Sequence, residues 1–150
     1  MTIFDELAGR FHDRHAEMAA ALDDLPAEAL DWVPGPEMNS ITVLIAHSLG
    51  AERRLIGQTI LGEPPTGGRE DEFAARGLGA EELKRRLAAA DDFLRQGLPR
   101  LAMTDLDAIR TTHHNEQKSV AWALLHALEH TAQHLGHIQI TRQLWEQKGK

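Results

Sequence analysis

Four histidines stand close together near the C-terminus, at spacings of four, four and three residues: His126, His130, His134 and His137. An α-helix has about 3.6 residues per turn, so steps of three and four residues return to the same face. On a helix, all four imidazole rings therefore fall within an arc of roughly 80°. Neutral imidazole nitrogens are common ligands of divalent transition metals, so this face predicts a metal site.

A metal ion needs ligands from more than one direction, and a histidine pair at i and i+4 holds only one edge of it. Earlier in the chain, His47 is followed one turn later by Gly50 and Ala51. Small side chains beside a histidine allow another helix to approach closely. We therefore predict that His47 is the third donor to a divalent metal ion that a histidine pair of this C-terminal face, such as His130 and His134, holds from the other side. Zinc or nickel suits histidine donors best, with iron or manganese as further candidates.

Three more residues are candidates near this site. His126 and His137 lie on the same helix face as the ligand pair and are expected to pack beside the ligands or to orient them, a bound water or a substrate. A direct role for either as an alternative ligand stays open. Arg54, seven residues after His47, falls on a similar helix face. It is a candidate for binding the carboxylate of a substrate or thiol cofactor, or else a surface residue of the Glu52-Arg53-Arg54 cluster.

The histidine pair of the last helix does not match the zinc-protease motif. The segment His130-Thr131-Ala132-Gln133-His134 has no glutamate after its first histidine. The HExxH zinc proteases use that glutamate as general base, so the motif of this class is incomplete.

The other histidines of the chain carry less information. His15 lies near the apolar stripe of its helix and is expected to be a partly buried packing residue. His12 and the pair His113–His114 are expected to face solvent.

Four long segments carry apolar residues at the three- and four-residue spacing of an amphipathic helix. We predict helices over residues 3–24, 41–61, 80–101 and 118–147. Asn39 or Ser40 is a suitable N-cap for the second of them. Packing such helices together buries their apolar faces, so the predicted fold is an all-α four-helix bundle in a single domain, residues 1–150.

The connections between these helices differ in length. A short helical turn is predicted at 27–30, and two prolines and a glycine make 31–40 a loop. The connections 62–79 and 102–117 are longer than is usual in helical bundles, and residues 109–112 could be briefly extended. These two long connections could cap one end of the bundle.

Composition narrows the class of function. The chain has 150 residues, a net charge of −7 with neutral histidines, and no cysteine. An acidic protein without a basic stripe is not expected to bind nucleic acid. The lack of cysteine excludes disulfides, thiolate nucleophiles and cysteine zinc sites. Neither a signal peptide nor a membrane segment is expected, so we expect a cytoplasmic protein that acts on a small molecule.

A resemblance adds to these observations. Asn39-Ser40-Ile41 leading into a helix with His47, and a long last helix with His130-x-x-x-His134-Leu-Gly, resemble the DinB/YfiT-like superfamily of metal-binding proteins. The resemblance covers nearly the whole chain and implies an up-down-down-up four-helix bundle with His47, His130 and His134 as metal ligands. Family members usually continue the last motif as HRGQ. This chain has His134-Leu135-Gly136-His137, so the arginine and the glutamine are absent.

The same resemblance implies a type of activity. Some members of the superfamily are thiol-dependent transferases or isomerases that use a low-molecular-weight thiol such as mycothiol or bacillithiol. It therefore implies a divalent-metal-dependent enzyme whose thiol cofactor attacks an electrophile. A non-enzymatic, stress-associated bundle that holds a metal for structure, storage or sensing is an alternative, because no convincing general acid or base adjoins the histidines. A helical interaction module without a metal is the third hypothesis.

The last predicted helix is apolar almost all round. Leu124, Leu125 and Leu128 lie roughly opposite its histidine face. A helix of this kind is buried on two sides. One side would pack inside the bundle and the other against a second copy of the chain, so we expect a homodimer.

Overall fold

The computed structural model describes all residues, 1–150, and consists mainly of helices. The helices are α1 (Ile3–Ala20), α2 (Ala27–Leu30), α3 (Ile41–Glu52), α4 (Arg69–Phe73), α5 (Gly79–Gly97) and α6 (Val120–Gln147). A π-helical segment, Arg53–Ile60, continues α3 without a break, and short 3₁₀ turns cover Leu98–Arg100 and Met103–Asp105. An antiparallel hairpin of β1 (Ile109–Thr111) and β2 (Gln117–Ser119) precedes α6. The four predicted long helices are confirmed.

Three of the four long helices, α1, α3 and α6, have a hydroxyl side chain as their N-cap. Thr2 accepts a hydrogen bond from the Asp5 backbone N–H at the start of α1, and the Asp5 carboxylate accepts one from the Thr2 N–H in return. Ser40 caps α3, as predicted, and Ser119 caps α6. Each hydroxyl satisfies a backbone donor that has no partner inside its helix, which fixes where the helix begins.

Two predicted helix ends are wrong. The first helix ends at Ala20 rather than at Asp24, because the chain turns there and Asp24 adopts a left-handed conformation with φ of 61°. The third ends at Gly97 rather than at residue 101. Pro99 has no N–H to extend the α-helical ladder, so the chain tightens into the 3₁₀ turn at Leu98–Arg100.

The second half of the second long helix has π-helical hydrogen bonding. The backbone N–H of Leu61 donates to the carbonyl of Ile56, five residues earlier, at 2.9 Å. The Thr59 hydroxyl donates to the Arg54 carbonyl at 3.0 Å. Because a π-helix has more residues per turn than an α-helix, side chains after Arg53 point in other directions around the helix axis than an unbroken α-helix would give them. The 3.6-residue period used for the sequence therefore does not hold from Arg53 onwards.

The core shows the direction of each helix. One apolar cluster joins the beginnings of α1 and α6 to the ends of the π-helical segment and α5, and its buried members are Phe4, Leu7, Phe11, Leu55, Ile56, Ile60, Leu94, Leu98, Val120, Ala123, Leu124 and Ala127. A second cluster joins the ends of α1 and α6 to the beginnings of α3 and α5, with Met18, Leu22, Ile41, Ile45, Leu83, Leu87, Leu135 and Ile138 among its members. The helices α1 and α6 therefore run opposite to α3 and α5, which confirms the up-down-down-up order.

A polar layer lies between the two apolar clusters, with one side chain from each long helix. His15 of α1 contacts Glu52 of α3 through Nε2 at 2.9 Å and Asp91 of α5 through Nδ1 at 2.6 Å. The Thr131 hydroxyl of α6 donates to Glu52 at 2.8 Å. With only 1% of its surface exposed, His15 is not the partly buried packing residue that was expected. A buried polar side chain needs hydrogen-bond partners, and here each neighbouring helix supplies one.

The outer face of α6 is not covered within one chain. Leu124 is buried in the core, whereas 65% of the Leu125 surface is exposed. The helix packs against α3 on one side and α1 on another. The homodimer stays a prediction, which light scattering at micromolar concentration tests. None of the helices combines the length and the apolar character that crossing a bilayer demands.

Candidate metal centre

The structure brings together the three histidines that were predicted to bind a metal. His47 lies on α3, His130 and His134 lie one turn apart on α6, and these two helices pack against each other. The Nε2 atom of His130 is 3.1 Å from Nε2 of His47 and 3.2 Å from Nε2 of His134. One ligand atom from each of the three residues lies within 4.8 Å of the others. The predicted pairing of the two helices is therefore what assembles the cluster.

The spacing of these nitrogens suits a small divalent ion. Zinc–nitrogen bonds of about 2.0–2.1 Å in a tetrahedral arrangement separate two ligand nitrogens by about 3.3–3.4 Å. The two Nε2–Nε2 distances of 3.1 and 3.2 Å are close to that separation. Three imidazoles fill three positions of a tetrahedron and leave the fourth for a water or substrate.

The histidines on α6 are held in the neutral form. Burial, together with repulsion from the neighbouring histidines, lowers the pKa of His130 to about 3. Burial and the charges of His47 and His137 lower the pKa of His134 to about 4. Near neutral pH both rings therefore keep a nitrogen lone pair, which is the form that binds a metal.

The other ring nitrogen of His47 contacts a carboxylate that sequence reasoning missed. His47 Nδ1 is 3.1 Å from Oε1 of Glu72, on α4. Both carboxylate oxygens of Glu72 also accept hydrogen bonds from the guanidinium of Arg54. Burial raises the pKa of Glu72, but the hydrogen bonds from His47 and Arg54 outweigh it and the pKa is lowered overall. The carboxylate is therefore ionised beside the cluster.

The segment predicted as a polar loop covers one side of His47. Residues 62–79 contain the short helix α4, and its Phe73 ring lies 4.9 Å from the His47 ring, centre to centre. The Arg69 guanidinium lies over the Phe73 ring, 4.9 Å from its centre. The sequence signal for Glu72 is weak, because it is one of three consecutive acidic residues with no periodic pattern around them.

The sequence profile of the DinB superfamily matches residues 10–138. The chain belongs to the DinB superfamily. A conserved protein from Enterococcus faecalis superposes with a TM-score of 0.84 at 15% identity, over 99% of each chain. A DinB-like protein from Bacillus cereus ATCC 10987 superposes with a TM-score of 0.70 at 17% identity, over 91% of this chain and 86% of the other. No curated protein matches the chain. At these identities the structural likeness shows the fold alone.

In this DinB superfamily member, two further histidines of α6 lie outside the cluster. His137 contacts His134, with 3.3 Å between their Nδ1 atoms. His126 stacks on Trp122 with ring centres 4.6 Å apart, and its Nδ1 lies 3.7 Å from Glu129. Neither supplies a ligand atom to the group of three. Their predicted roles in orienting ligands or substrate stay predictions, and the contact with His134 is the one geometric support for His137.

Arg54, His113, His114 and His12 are the other candidate residues from the sequence. The Arg54 side chain is 14% exposed, and its terminal nitrogens are bonded to Glu72. Its predicted contact with a cofactor carboxylate stays a prediction. Burial and the charges of His114 and Arg54 lower the pKa of His113, at the hairpin tip. His113 and His114 are exposed, as is His12, whose Nδ1 contacts Asp91 at 2.7 Å.

Proposed function

We propose that this chain holds one divalent metal ion through His47, His130 and His134 and is a metal-dependent enzyme. The observation that carries the proposal is the convergence of three Nε2 atoms from two helices, with two of the three rings kept neutral by burial. Zinc or nickel matches this set of donors best.

The chemistry follows from the neutral ligand set. Bound to three uncharged imidazoles, a divalent ion keeps its full charge and lowers the pKa of a coordinated water or thiol. His130 and His134 are only partly buried, so the cluster is reachable from solvent on the α6 side. On the α3 side, Phe73 and Glu72 shield His47. Substrate would therefore approach from the open side of α6.

The reaction class that we propose is thiol-dependent transfer or isomerisation. The chain contains no cysteine, so the thiol must come from a small molecule. Membership of the DinB superfamily supports this class only by analogy. The role of the histidines would be to bind and orient the group that carries the thiol.

A second candidate function is non-enzymatic metal binding, for structure, storage or sensing. It is favoured by the state of Glu72, the carboxylate in contact with a cluster histidine. Both of its oxygens already accept hydrogen bonds from Arg54, and Oε1 also contacts His47. A carboxylate with these bonds is not free to act as a general base.

Metal content tests both candidates. We would purify the chain untagged, without metal-affinity resin, and measure metals by mass spectrometry in the parent and in His47→Ala and His130→Ala. We expect about one metal ion per parent chain, and a loss of at least tenfold in occupancy in both variants, because each removes one of three ligands. His12→Ala is the control, since His12 is exposed and distant in the chain from the cluster.

The next measurement separates the enzyme from the metal binder. The loaded parent would be mixed with a low-molecular-weight thiol and a panel of electrophiles, and thiol consumption would be followed. Turnover that is lost in His130→Ala supports the enzyme. Full metal occupancy without turnover favours storage, structure or sensing. A parent that cannot be loaded with zinc or nickel near neutral pH overturns the three-histidine site.

A further inference from the structure

We propose that Glu72 is a positioning residue for His47, held in place by Arg54 and given room by Gly50. In this arrangement, Glu72 accepts a hydrogen bond from Nδ1–H of His47 and so directs the unprotonated Nε2 atom at His130 and His134. The part of this proposal that concerns metal affinity rests on the proposed function, whereas the part that concerns the His47 ring does not.

The hydrogen bonds of Glu72 determine which nitrogen of His47 carries the proton. Arginine can only donate, and the guanidinium of Arg54 donates to both oxygens of Glu72. A carboxylate in such a two-pronged pair has no proton to give. The contact of 3.1 Å between Glu72 and His47 therefore requires Nδ1–H to be the donor. The Nε2 atom keeps its lone pair and faces Nε2 of His130 at 3.1 Å.

Arg54 and His47 belong to one continuous helical stretch, whereas Glu72 comes from α4. The bond between Arg54 and Glu72 thus ties the short helix α4 to the helix that carries the ligand. Glu72 is 8% exposed, and the charge of Arg54 offsets the cost of burying its carboxylate. This pairing explains why the Arg54 side chain is largely buried instead of extending from the surface.

Gly50 is necessary for this approach. A Cβ atom added at position 50 would lie 1.8 Å from Oε2 and 2.3 Å from Cδ of Glu72. Contacts of that length cannot form, so any larger residue forces the carboxylate away from His47. Gly50 lies within α3, where glycine is a poor helix former, so packing against Glu72 gives a physical reason for its presence. By contrast, a Cβ at Gly9, within α1, would have nothing within 4 Å.

The first test reads the His47 ring directly, in metal-free protein. Long-range proton–nitrogen NMR spectra distinguish the two neutral tautomers of histidine. We expect His47 of the parent to carry its proton on Nδ1, and we expect a substantial Nε2–H population in Glu72→Gln and Gly50→Ala. Gly9→Ala is the matched control, since it makes the same change at an exposed helical position of α1 and should leave the His47 signals as they are.

The second test measures affinity for zinc by competition with a chromophoric chelator. Loss of a carboxylate partner typically weakens metal binding by about 10- to 100-fold. We expect that loss in Glu72→Gln and in Gly50→Ala and no change in Gly9→Ala. Circular dichroism melting of all variants shows whether they fold, and if Gly50→Ala does not fold, Glu72→Gln carries the test alone.

The outcomes separate this proposal from the proposed function. Parent protein that binds zinc, together with variants that keep both the parent affinity and the Nδ1–H tautomer, overturns the role of Glu72 and leaves the metal site intact. Parent protein that binds no zinc overturns the proposed function, and the tautomer then decides on Glu72 by itself. A parent His47 that carries its proton on Nε2 also overturns the proposal. A tautomer shift with weaker zinc binding in Glu72→Gln supports it.

Discussion

Thr131 shows how much a single hydroxyl can matter in this bundle. It follows His130 on α6, yet its side chain turns to the other side and donates to the buried Glu52 at 2.8 Å. Glu52 is 1% exposed, and its second oxygen, Oε2, has no hydrogen-bond partner. The carboxylate therefore relies on Thr131 and His15 alone.

Thr131→Val is expected to destabilise the fold. Valine keeps the shape of threonine but removes a donor to a buried carboxylate, which costs about 2 kcal/mol. The free energy of unfolding of metal-free protein in urea measures this loss. Thr141→Val is the matched control, because Thr141 is also buried on α6 but donates to the His137 carbonyl of its own helix. Its cost should stay below about 1 kcal/mol, and equal costs for the two variants would contradict the role of Thr131.

Single residues also show what the sequence can and cannot predict. Helical spacing is local and placed His130 and His134 on one face without knowledge of the fold, whereas the choice of this pair over His126 and His137 came from the family resemblance. Glu72 was not predictable, since its contact with His47 joins residues 25 positions apart and depends on how α4 packs. The hydrogen bonds of His15 could not be predicted for the same reason, because its partners lie on two other helices.

Among the elements, the four long helices and the short helix α2 were predictable, the latter from Pro26 at its start, whereas α4 and the π-helical segment were not. The four long helices carry several turns of apolar spacing, which averages out local exceptions. The helix α4 has five residues, too few to show a period and too few to be stable alone. The π-helical segment Arg53–Ile60 reads as ordinary helix in the sequence, since only its hydrogen bonding differs.

Phe73→Ala tests whether α4 depends on its contact with His47. The contact between the two rings contributes about 0.5–1.5 kcal/mol, so the local opening of α4 should become roughly two- to thirteenfold more frequent. Hydrogen exchange measures this at the amides of Glu72 and Ala74, which bond to the carbonyls of Gly68 and Glu70.

The effect of Phe73→Ala should remain local. Phe73 is 38% exposed and belongs to neither core cluster, so amides in the middle of α1 should exchange as in the parent. Met103→Ala is a control, because it removes an exposed apolar side chain far from α4 in the chain. Unchanged exchange at Glu72 and Ala74 would show that α4 does not depend on this ring contact and that the bonds of Glu72 to Arg54 and His47 suffice to hold it.

For the molecule as a whole, the order of the helices explains why the site has a cover. The helices α3 and α5 run in the same direction, so the chain must return along the full length of the bundle between them. That return needs a long connection, and residues 61–78 supply it. Because the connection passes α3, it can place Glu72 and Phe73 against His47. The unusual length of this connection thus allows two of its side chains to contact the histidine cluster.

The polar layer makes stability depend on pH across the whole bundle. Burial lowers the pKa of His15, but hydrogen bonds to Glu52 and Asp91 outweigh burial and raise the pKa to about 9. Below pH 6.5 the ring is protonated in both the folded and the unfolded chain, and its ion pairs stabilise the fold. Above that pH the unfolded chain loses the proton first, so folding must take one up, and the advantage is gone once the pH exceeds about 9.

The free energy of unfolding should therefore fall by about 3 kcal/mol between pH 6.5 and pH 9. Urea unfolding of chelator-treated protein measures it, since bound metal would add its own dependence on pH. His130 and His134 have little effect over most of this range. Their pKa values are lowered to about 3 and about 4, so both rings are neutral in the folded chain, and in the unfolded chain they lose their protons as the pH rises through about 6.5. Their effect is therefore a small gain in stability just above pH 6.5, opposite in sign to the fall expected from His15.

Two variants assign this pH dependence to its source. His15→Gln keeps a hydrogen-bonding side chain but cannot be protonated, so the fall in unfolding free energy between pH 6.5 and pH 9 should disappear. His12→Gln removes the other histidine that contacts Asp91, but His12 is 55% exposed, and the fall should persist. If the parent shows a constant unfolding free energy over this range, His15 is neutral in the fold. The layer would then act through its neutral hydrogen bonds and not through charge.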